Sequence, residues 1–328
     1  RKITNKIQRL ISLALVVVMV FAFVGCGTAT EDVNVDNSGY NAGAGASADN
    51  PYTFIDDYGR TVTVTSYKRT ATLIGSFADV WMSAGGSVVA TANDTWTNFD
   101  LGLSSDVVNI GSILNPNVEL LIASRPDFVI ASCNTDSNIA LMQTLENAGI
   151  TVAYFDVSNF EQYLNMLDKC TMITGRRDLY KTNGTDVKEQ IDTIKSRVGS
   201  NPKILFIRTS SSSVKAKQSE GSVGGEILKD LGCVNIADSD TSLLDDLSLE
   251  AIVVADPDYI FVTTQGNDTD AAIRNIDKLL TSNPAWSSLT AVKQGRYYVL
   301  DKKLYNLKPN AKWGEAYKQL ADILYIDR

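Results

Sequence analysis

The sequence predicts an α/β fold of two Rossmann-like lobes, each a mainly parallel sheet with flanking helices, joined by one long helix. Short runs of β-branched and aromatic residues alternate with helix-like stretches, which is typical of parallel sheets covered by helices. Helical spacing of apolar residues also continues through the middle of the chain, from Phe160 to Val198. The strand-like runs are residues 107–110, 128–130, 152–155, 204–207, 259–262 and 297–300.

The two predicted lobes share an internal repeat. Residues 118–130 read VELLIASRPDFVI and residues 249–261 read LEAIVVADPDYIF, and in both a Glu precedes a Pro-Asp pair by seven residues. Pro ends a helix and Asp caps the turn that leads into a strand. Units of helix, Pro-Asp and strand recur in many α/β proteins, and a Glu near a helix start favours the helix dipole. The matched positions of Glu119 and Glu250 are nevertheless not required by the turn itself.

The first 25 residues are typical of a secretory signal. A basic head is followed by an apolar run over residues 10–24 and then by Gly25-Cys26. The run is shorter than the roughly 20 apolar residues of a membrane span. The stretch resembles the lipobox of bacterial lipoproteins, which implies lipidation of Cys26; the alternative is an uncleaved anchor helix with an incidental Cys. Residues 26–50 are rich in Gly, Ala, Ser, Asn and Asp, which predicts a flexible tether.

Composition excludes several classes of function. The chain has 30 basic and 38 acidic residues, and four of the basic ones lie in the predicted signal. An acidic body argues against nucleic acid as a partner. The chain contains no His, which removes the commonest metal ligand and general base. Cys133, Cys170 and Cys233 are widely spaced and odd in number, so we expect buried thiols rather than a disulfide framework.

Four segments in order carry a resemblance to a known family: residues 56–64, the two repeat units, and residues 283–286 with 291–298. The chain resembles the substrate-binding lipoproteins of ABC importers for iron–siderophores, haem and cobalamin. The resemblance implies the class III periplasmic-binding-protein fold and no enzymatic activity. We expect an N-terminal lobe over residues 51–158, a helical connector over 159–200 and a C-terminal lobe over 201–328.

The same resemblance implies partners and a location. In this family a Glu on each lobe docks to Arg residues of the membrane permease, and the matching positions are Glu119 and Glu250. The expected partners are therefore a permease dimer with its ATPase and a small-molecule solute, and the expected state is a monomer. Cys26 would hold the protein by a lipid on the extracellular face of the cell membrane, as suits a Gram-positive cell.

The ligand site is predicted from strand ends, because ligands of open α/β sheets lie beyond the carboxyl ends of the strands. Arg208 follows an apolar strand, where its guanidinium can grip a carboxylate; the alternative is a structural ion pair. Trp96 and Tyr305 could stack on a ligand or simply pack. Asn306, Lys308 and Asn310 form a rigid polar loop that could contact the rim of the ligand. The predicted contacts are Ser76, Phe77, Trp96, Ser112, Ser132, Asn134, Arg208, Ser210, Lys215, Lys217, Ser242, Gln265, Tyr305, Asn306 and Lys308.

A solute-binding protein for a metal chelate, with no cofactor of its own, is the function that these observations favour. A ferric siderophore is the first ligand expected, because a chelate brings its own metal shell and the loop after residue 207 is basic. Cobalamin is the second. A lipid-anchored surface receptor or adhesin of the same fold is the rival class. An enzyme is disfavoured, because no G-x-S-x-G nucleophile elbow and no phosphate loop frames the Ser-rich and Gly-rich segments.

Overall fold

The computed structural model describes Asn37, residues 39–245 and residues 247–325. The predicted signal and Cys26 lie outside these described residues. Contacts group the described residues into one compact unit. Within the described ranges, no helix has the length and apolar character needed to cross a membrane.

The N-terminal lobe is built on a five-stranded sheet in which all neighbouring strands are parallel, in the order β5-β4-β3-β8-β9. Strand β8, an interior strand of this sheet, is buried at every residue, as expected for a strand covered on both faces. The strands of this half are β1 (Tyr52–Ile55), β2 (Thr61–Val64), β3 (Thr70–Thr72), β4 (Val88–Thr91), β5 (Val108–Asn109), β6 (Gly111–Ser112), β7 (Asn115–Pro116), β8 (Phe128–Ser132) and β9 (Thr151–Phe155).

Two antiparallel hairpins, β1–β2 and β6–β7, flank that sheet. The helices of this half are α1 (Gly75–Ser83), α2 (Asp94–Asn98), α3 (Val118–Ala123), α4 (Asp136–Ile139) and α5 (Met142–Asn147). Helix α1 starts almost directly after β3, and six of its nine residues are buried. It therefore belongs to the core of the lobe rather than to its surface.

The connector is helical but is interrupted at Gly175. Helix α6 (Phe160–Thr174) begins with a capping box between Asn159 and Gln162 and ends at Gly175, whose φ of 76° is left-handed. The chain continues through α7 (Arg177–Tyr180), a π-helical turn (Lys181–Thr185) and α8 (Asp186–Lys195). Helix α6 buries Phe160, Tyr163 and Leu167. The apolar residues that gave this region its helical spacing therefore pack in the core.

The C-terminal lobe has a second sheet, in the order β11-β10-β13-β14 with β12 also paired to β10. Only the β10–β11 pair is antiparallel. Its strands are β10 (Lys203–Thr209), β11 (Val214–Ala216), β12 (Val234–Asn235), β13 (Tyr259–Thr264) and β14 (Tyr297–Leu300).

Helices cover this second sheet and the last one returns to the connector, where it packs on α8. They are α9 (Val223–Asp230), α10 (Ile236–Ser239), α11 (Ser242–Asp245), α12 (Leu249–Ala255), α13 (Thr269–Ile276), α14 (Thr290–Lys293), α15 (Lys302–Tyr305) and α16 (Trp313–Tyr325). A π-helical turn (Asp277–Thr281) and two 3₁₀ turns (Pro284–Ser288 and Asn310–Lys312) complete the half.

The described part of the predicted tether packs on the body. Tyr40 donates a hydrogen bond to the carbonyl of Met172 and its ring lies 4.8 Å from that of Tyr52, centroid to centroid. The amide of Ala46 donates to the carbonyl of Ile173 at 2.7 Å. Ala46 is itself buried. The expectation of a free tether up to Asn50 therefore needs correction, because these small residues gain contacts at the end of α6 that composition alone does not reveal.

Candidate functional site

A cavity of about 370 Å³ lies between the two lobes. It opens at the carboxyl ends of both sheets, since Asn134 follows β8, Asp156 follows β9, and Arg208 and Thr263 lie near the ends of β10 and β13. This is the location that the strand-end rule predicts for a ligand. The lining residues are Asn134, Asp156, Val157, Ser158, Phe206, Arg208, Lys217, Gly221, Ser222, Val223, Thr263, Tyr305, Asn306 and Lys308.

Three cations, Arg208, Lys217 and Lys308, line the C-terminal wall of this cavity. Arg208 is paired with Lys215 across the β10–β11 ladder, so these two side chains project from the same face of the sheet. Within the part of the chain that the structure describes, none of the three cavity cations forms an ion pair with a carboxylate. The alternative of a structural ion pair for Arg208 therefore has no support among the described residues.

Burial makes these unpaired charges costly. It lowers the pKa of Arg208, and it lowers the pKa of Lys217, which is lowered further by repulsion from Arg208 and Lys215. Burial also lowers the pKa of Lys308, against a smaller opposing effect of Asp156. A half-buried cation without a partner is destabilising unless an anion compensates for it. The C-terminal wall can therefore bind an anionic group.

The N-terminal wall carries a single charged residue among the described lining, Asp156. Its carboxylate accepts hydrogen bonds from the side chain of Asn134, from Gln162 Nε2 at 3.2 Å and from Ser158 Oγ at 3.4 Å. Because these donors hold it in place beside the start of α6, Asp156 forms a fixed polar edge opposite the cationic wall.

Six of the fifteen predicted contact residues line the cavity: Asn134, Arg208, Lys217, Tyr305, Asn306 and Lys308. Tyr305 contributes its ring, because its hydroxyl is turned away and donates to the carbonyl of Ala316 at 2.9 Å. The remaining nine do not line it: Ser76, Phe77, Trp96, Ser112, Ser132, Ser210, Lys215, Ser242 and Gln265.

Local packing accounts for most of those nine residues. Phe77 is fully buried and its ring meets Phe155 edge-on at 6.4 Å, so it belongs to the core and not to the cleft. The hydroxyl oxygens of four predicted serines bond within their own turns; the residues are Ser112, Ser132, Ser210 and Ser242. Trp96 is 42% exposed outside the cavity.

Sequence reasoning missed residues 156–158, Phe206 and the segment 221–223. Residues 156–158 come immediately after β9, so the strand-end rule could have found them if it had been applied to that strand. Phe206 lies inside a strand, and its ring cannot be assigned to core or cleft from the sequence. The start of α9 is brought in by tertiary packing, and no sequence signal marks it.

Glu119 and Glu250 occupy equivalent places in the two lobes. Each is the second residue of a helix and is exposed. Each helix is capped by the preceding side chain: Asn117 Oδ1 accepts from the amide of Leu120 at 3.0 Å, and Ser248 Oγ accepts from that of Ala251 at 3.3 Å. Among the described residues neither Glu forms an ion pair. Both carboxylates are free to meet a partner.

Two mainly parallel sheets, a helical connector and a cavity between the sheets define a two-lobed solute-binding protein. Residues 71–304 match the sequence model of the family described as Periplasmic binding protein. The match spans more than half of the chain, and the chain belongs to that family. The predicted fold class and the predicted family are therefore confirmed, as is the expectation that the protein binds a substrate for an ABC importer and is not an enzyme.

Individual relatives agree with this assignment. The chain is 28% identical over 255 residues to the Fe(3+)-citrate-binding protein YfmC of Bacillus subtilis, covering 75% of this chain and 77% of the relative. It is 24% identical to the putative ABC transporter substrate-binding lipoprotein YhfQ of the same organism, covering 80% and 84%. The crystal structure of Staphylococcus aureus SirA complexed with staphyloferrin B superposes with a TM-score of 0.64 at 21% identity, covering 84% and 97%.

Proposed function

We propose that this protein captures a ferric chelate, a siderophore or a related carboxylate complex, and delivers it to an ABC importer. The observation that carries the proposal is the set of unpaired cations Arg208, Lys217 and Lys308 around one interlobe cavity. Carboxylates are strong partners for such cations, and Arg binds them bidentately. The relatives named for Fe(3+)-citrate and for a staphyloferrin complex support the same ligand class.

The other ligands fit the cavity less well. Haem in a binding protein needs an axial ligand for its iron. The chain has no His, the described cavity lining holds no Met or Cys, and the hydroxyl of its one Tyr, Tyr305, bonds to the carbonyl of Ala316 instead. Among the described residues no group of three or more Cys, Asp or Glu is placed to hold a metal ion, so a bare ion is disfavoured as cargo. A corrinoid has a large, mainly uncharged amide periphery, which gives no role to three cations. Cobalamin therefore stays the second candidate.

Docking to the permease is assigned to Glu119 and Glu250. Their equivalent positions in two helical first turns, their exposure and their lack of ion pairs in the described structure support a paired contact with cations of the partner. Charged groups at the rim of an interface mainly steer encounter and fix register. Two such points, one on each lobe, would report the relative position of the lobes to the permease.

The proposed location is the extracellular face of the cell membrane, through a lipid on Cys26, with the protein acting as a monomer. The Gly25-Cys26 step after a basic and apolar leader supports it. The rival class is a surface receptor or adhesin with the same fold. Genes for a permease and an ATPase beside this one would support import, and their absence would support the receptor.

The decisive experiment is calorimetric titration of the chain from residue 27 onward with ferric citrate, a ferric carboxylate siderophore, a ferric catecholate, haem and cyanocobalamin. We expect the two carboxylate chelates to bind with micromolar or better affinity that weakens as salt rises. Iron-free citrate and the gallium(III) complex serve as controls for the metal and for redox effects. Binding of cyanocobalamin alone, or of none of the five, would overturn the proposal.

A further inference from the structure

Asn310 joins the two lobes although it was expected to face the ligand. It belongs to the segment after β14, yet its Nδ2 donates to the carbonyl of Ser76 at 2.9 Å and to Asp79 Oδ2 at 2.7 Å, both on helix α1 of the N-terminal lobe. The side chain is completely buried. This amide is therefore an interlobe anchor and not part of the cleft surface.

The backbone at this anchor is unusual. Asn310 has a φ of 55°, and among the described non-glycine residues only Arg125 and Asp256 share a positive φ. Those two precede Pro in the repeated turns, whereas Asn310 follows Pro309, whose own φ is −65°. Asn tolerates the left-handed region better than most residues but still at some cost. The two hydrogen bonds to α1 offset that cost and hold the turn in one conformation.

Lys308 lies two residues before the anchor. It lines the ligand cavity and also a second cavity of about 280 Å³ on the other side of the same segment. The segment is held at its start by Tyr305, whose hydroxyl bonds to the carbonyl of Ala316, and at its end by Asn310. Pro309 removes the backbone freedom between Lys308 and the anchor. The position of the Lys308 ammonium therefore depends on both ends being fixed.

We propose that Asn310 is a positioning residue for ligand binding: by anchoring the 308–310 segment to α1, it holds Lys308 in the cleft. The inference rests on the proposed function, in that Lys308 is taken to meet an anionic group of the ligand. The inference extends that function, because the position of a charge on one cleft wall then depends on a contact with the opposite lobe. Ligand affinity is then coupled to the interlobe contact through a named side chain.

A double-mutant cycle tests this coupling. Asn310→Gly removes both hydrogen bonds, tolerates the positive φ and adds no charge. We expect it to weaken ferric citrate binding about tenfold in the otherwise native protein, the size of one charge-assisted contact. In a Lys308→Met background the same change should cost less than about twofold. Equal losses in both backgrounds would overturn the proposal, because Asn310 would then act on the fold in general.

A second measurement needs no ligand. The lysines are reductively methylated with ¹³C, and the Lys308 signal is assigned by its loss in Lys308→Met. We expect Lys308 to titrate below the ordinary value of about 10.4 in the native protein and to return toward it in Asn310→Gly, as the ammonium moves into water. An unchanged titration would overturn the proposal. If no ferric chelate binds the native protein, the proposed function fails, and this titration still decides the role of Asn310.

Discussion

Asp127 and Asp258 hold the same position in the two lobes. Asp127 exchanges two hydrogen bonds with the backbone of Arg69 ahead of β3, amide to carboxylate at 3.1 Å and amide to carbonyl at 2.9 Å. Asp258 makes the same pair with Lys203 at the start of β10, both at 2.8 Å. The residue two positions before each Asp has a positive φ. The repeated sequence thus builds one turn twice and ties it each time to a neighbouring strand.

Removing either carboxylate should destabilise its lobe. We expect Asp258→Ala to lower the free energy of unfolding by about 1–2 kcal/mol, because the Lys203 amide loses its partner. Asp127→Ala should cost more, since Asp127 also accepts from Ser66 Oγ. Urea unfolding measures both. Asp258→Asn, which keeps an acceptor oxygen, is the matched control and should be close to neutral; a large loss there would show that charge, not the hydrogen bond, matters.

Replacing Arg208 should weaken ligand binding without lowering the stability of the free protein. We expect Arg208→Met to weaken ferric citrate binding by at least about tenfold, because a bidentate contact is lost. Without ligand, the free energy of unfolding should stay level or rise slightly, because an unpaired half-buried cation is removed. Lys215→Met is the control, since Lys215 shares the sheet face but is exposed outside the cavity. An affinity loss as large in Lys215→Met would contradict the assignment.

Charge reversal should separate docking from binding. Glu119→Lys with Glu250→Lys is expected to abolish uptake, because like charges would then meet at the permease. Affinity for the ligand should not change, since neither Glu lines the cavity. The control is Glu161→Lys with Glu189→Lys, which makes the same change in net charge on exposed positions of the connector. Iron uptake in cells that carry each variant provides the measurement; loss of uptake in the control pair would refute a specific docking role.

The stability cost of replacing Gly175 should measure how tightly the segment before β1 packs on the connector. The φ of Gly175 is 76°, and a Cβ there would meet the Gly45 amide nitrogen at 2.7 Å. Gly149 has a similar φ of 72° with nothing within 4 Å of such a Cβ. Gly149→Ala should therefore cost only the backbone strain, about 1 kcal/mol, and Gly175→Ala clearly more. Thermal unfolding compares them; equal costs would mean that the segment near Gly45 contributes nothing there.

Cys133 should be accessible but slow to react. Burial is the main cause that raises its pKa to about 11, with a further contribution from Asp156. Because the thiolate is the nucleophile, only about one molecule in a thousand carries it at pH 8. We expect iodoacetamide to label Cys133 far more slowly than it labels glutathione at that pH, by mass spectrometry. Labelling should accelerate as the pH approaches 11 and, at fixed pH, in Asp156→Asn; labelling at the glutathione rate would contradict this.

Periodicity and strand order in the sequence were enough to predict the repeated helices and part of the cavity lining. The repeat at Glu119 and Glu250 correctly marked equivalent helices, and the strand-end rule led to Arg208, Asn134 and Lys308. The strand-end rule could not distinguish core residues from cleft residues where tertiary packing decides between the two. Phe77 and Arg208 were both predicted to follow a strand. Arg208 lies near the end of β10 and lines the cavity, whereas only two residues separate β3 from α1, and the ring of Phe77 packs in the core.

Asn310 shows the same limit for a polar residue. A polar residue in a loop beside the cleft suggested contact with a ligand. Its partners on α1 are more than 230 residues away in the chain, and neither composition nor spacing encodes such a pair. The small residues before β1 were likewise predicted to be free, because their partners at the end of α6, Met172 and Ile173, are distant in the chain.

The two walls of the cavity divide the work of recognition. All three cations belong to the C-terminal lobe, while the N-terminal lobe contributes amide, hydroxyl and a tethered carboxylate at Asp156. Under the proposed function, substitutions around Asn134 and Ser158 would alter which ligand shapes are accepted, while the three cations would still favour an anion. Relatives of this protein could acquire new chelators through changes in the N-terminal lobe alone, because the cations that would bind the anion all lie in the C-terminal lobe.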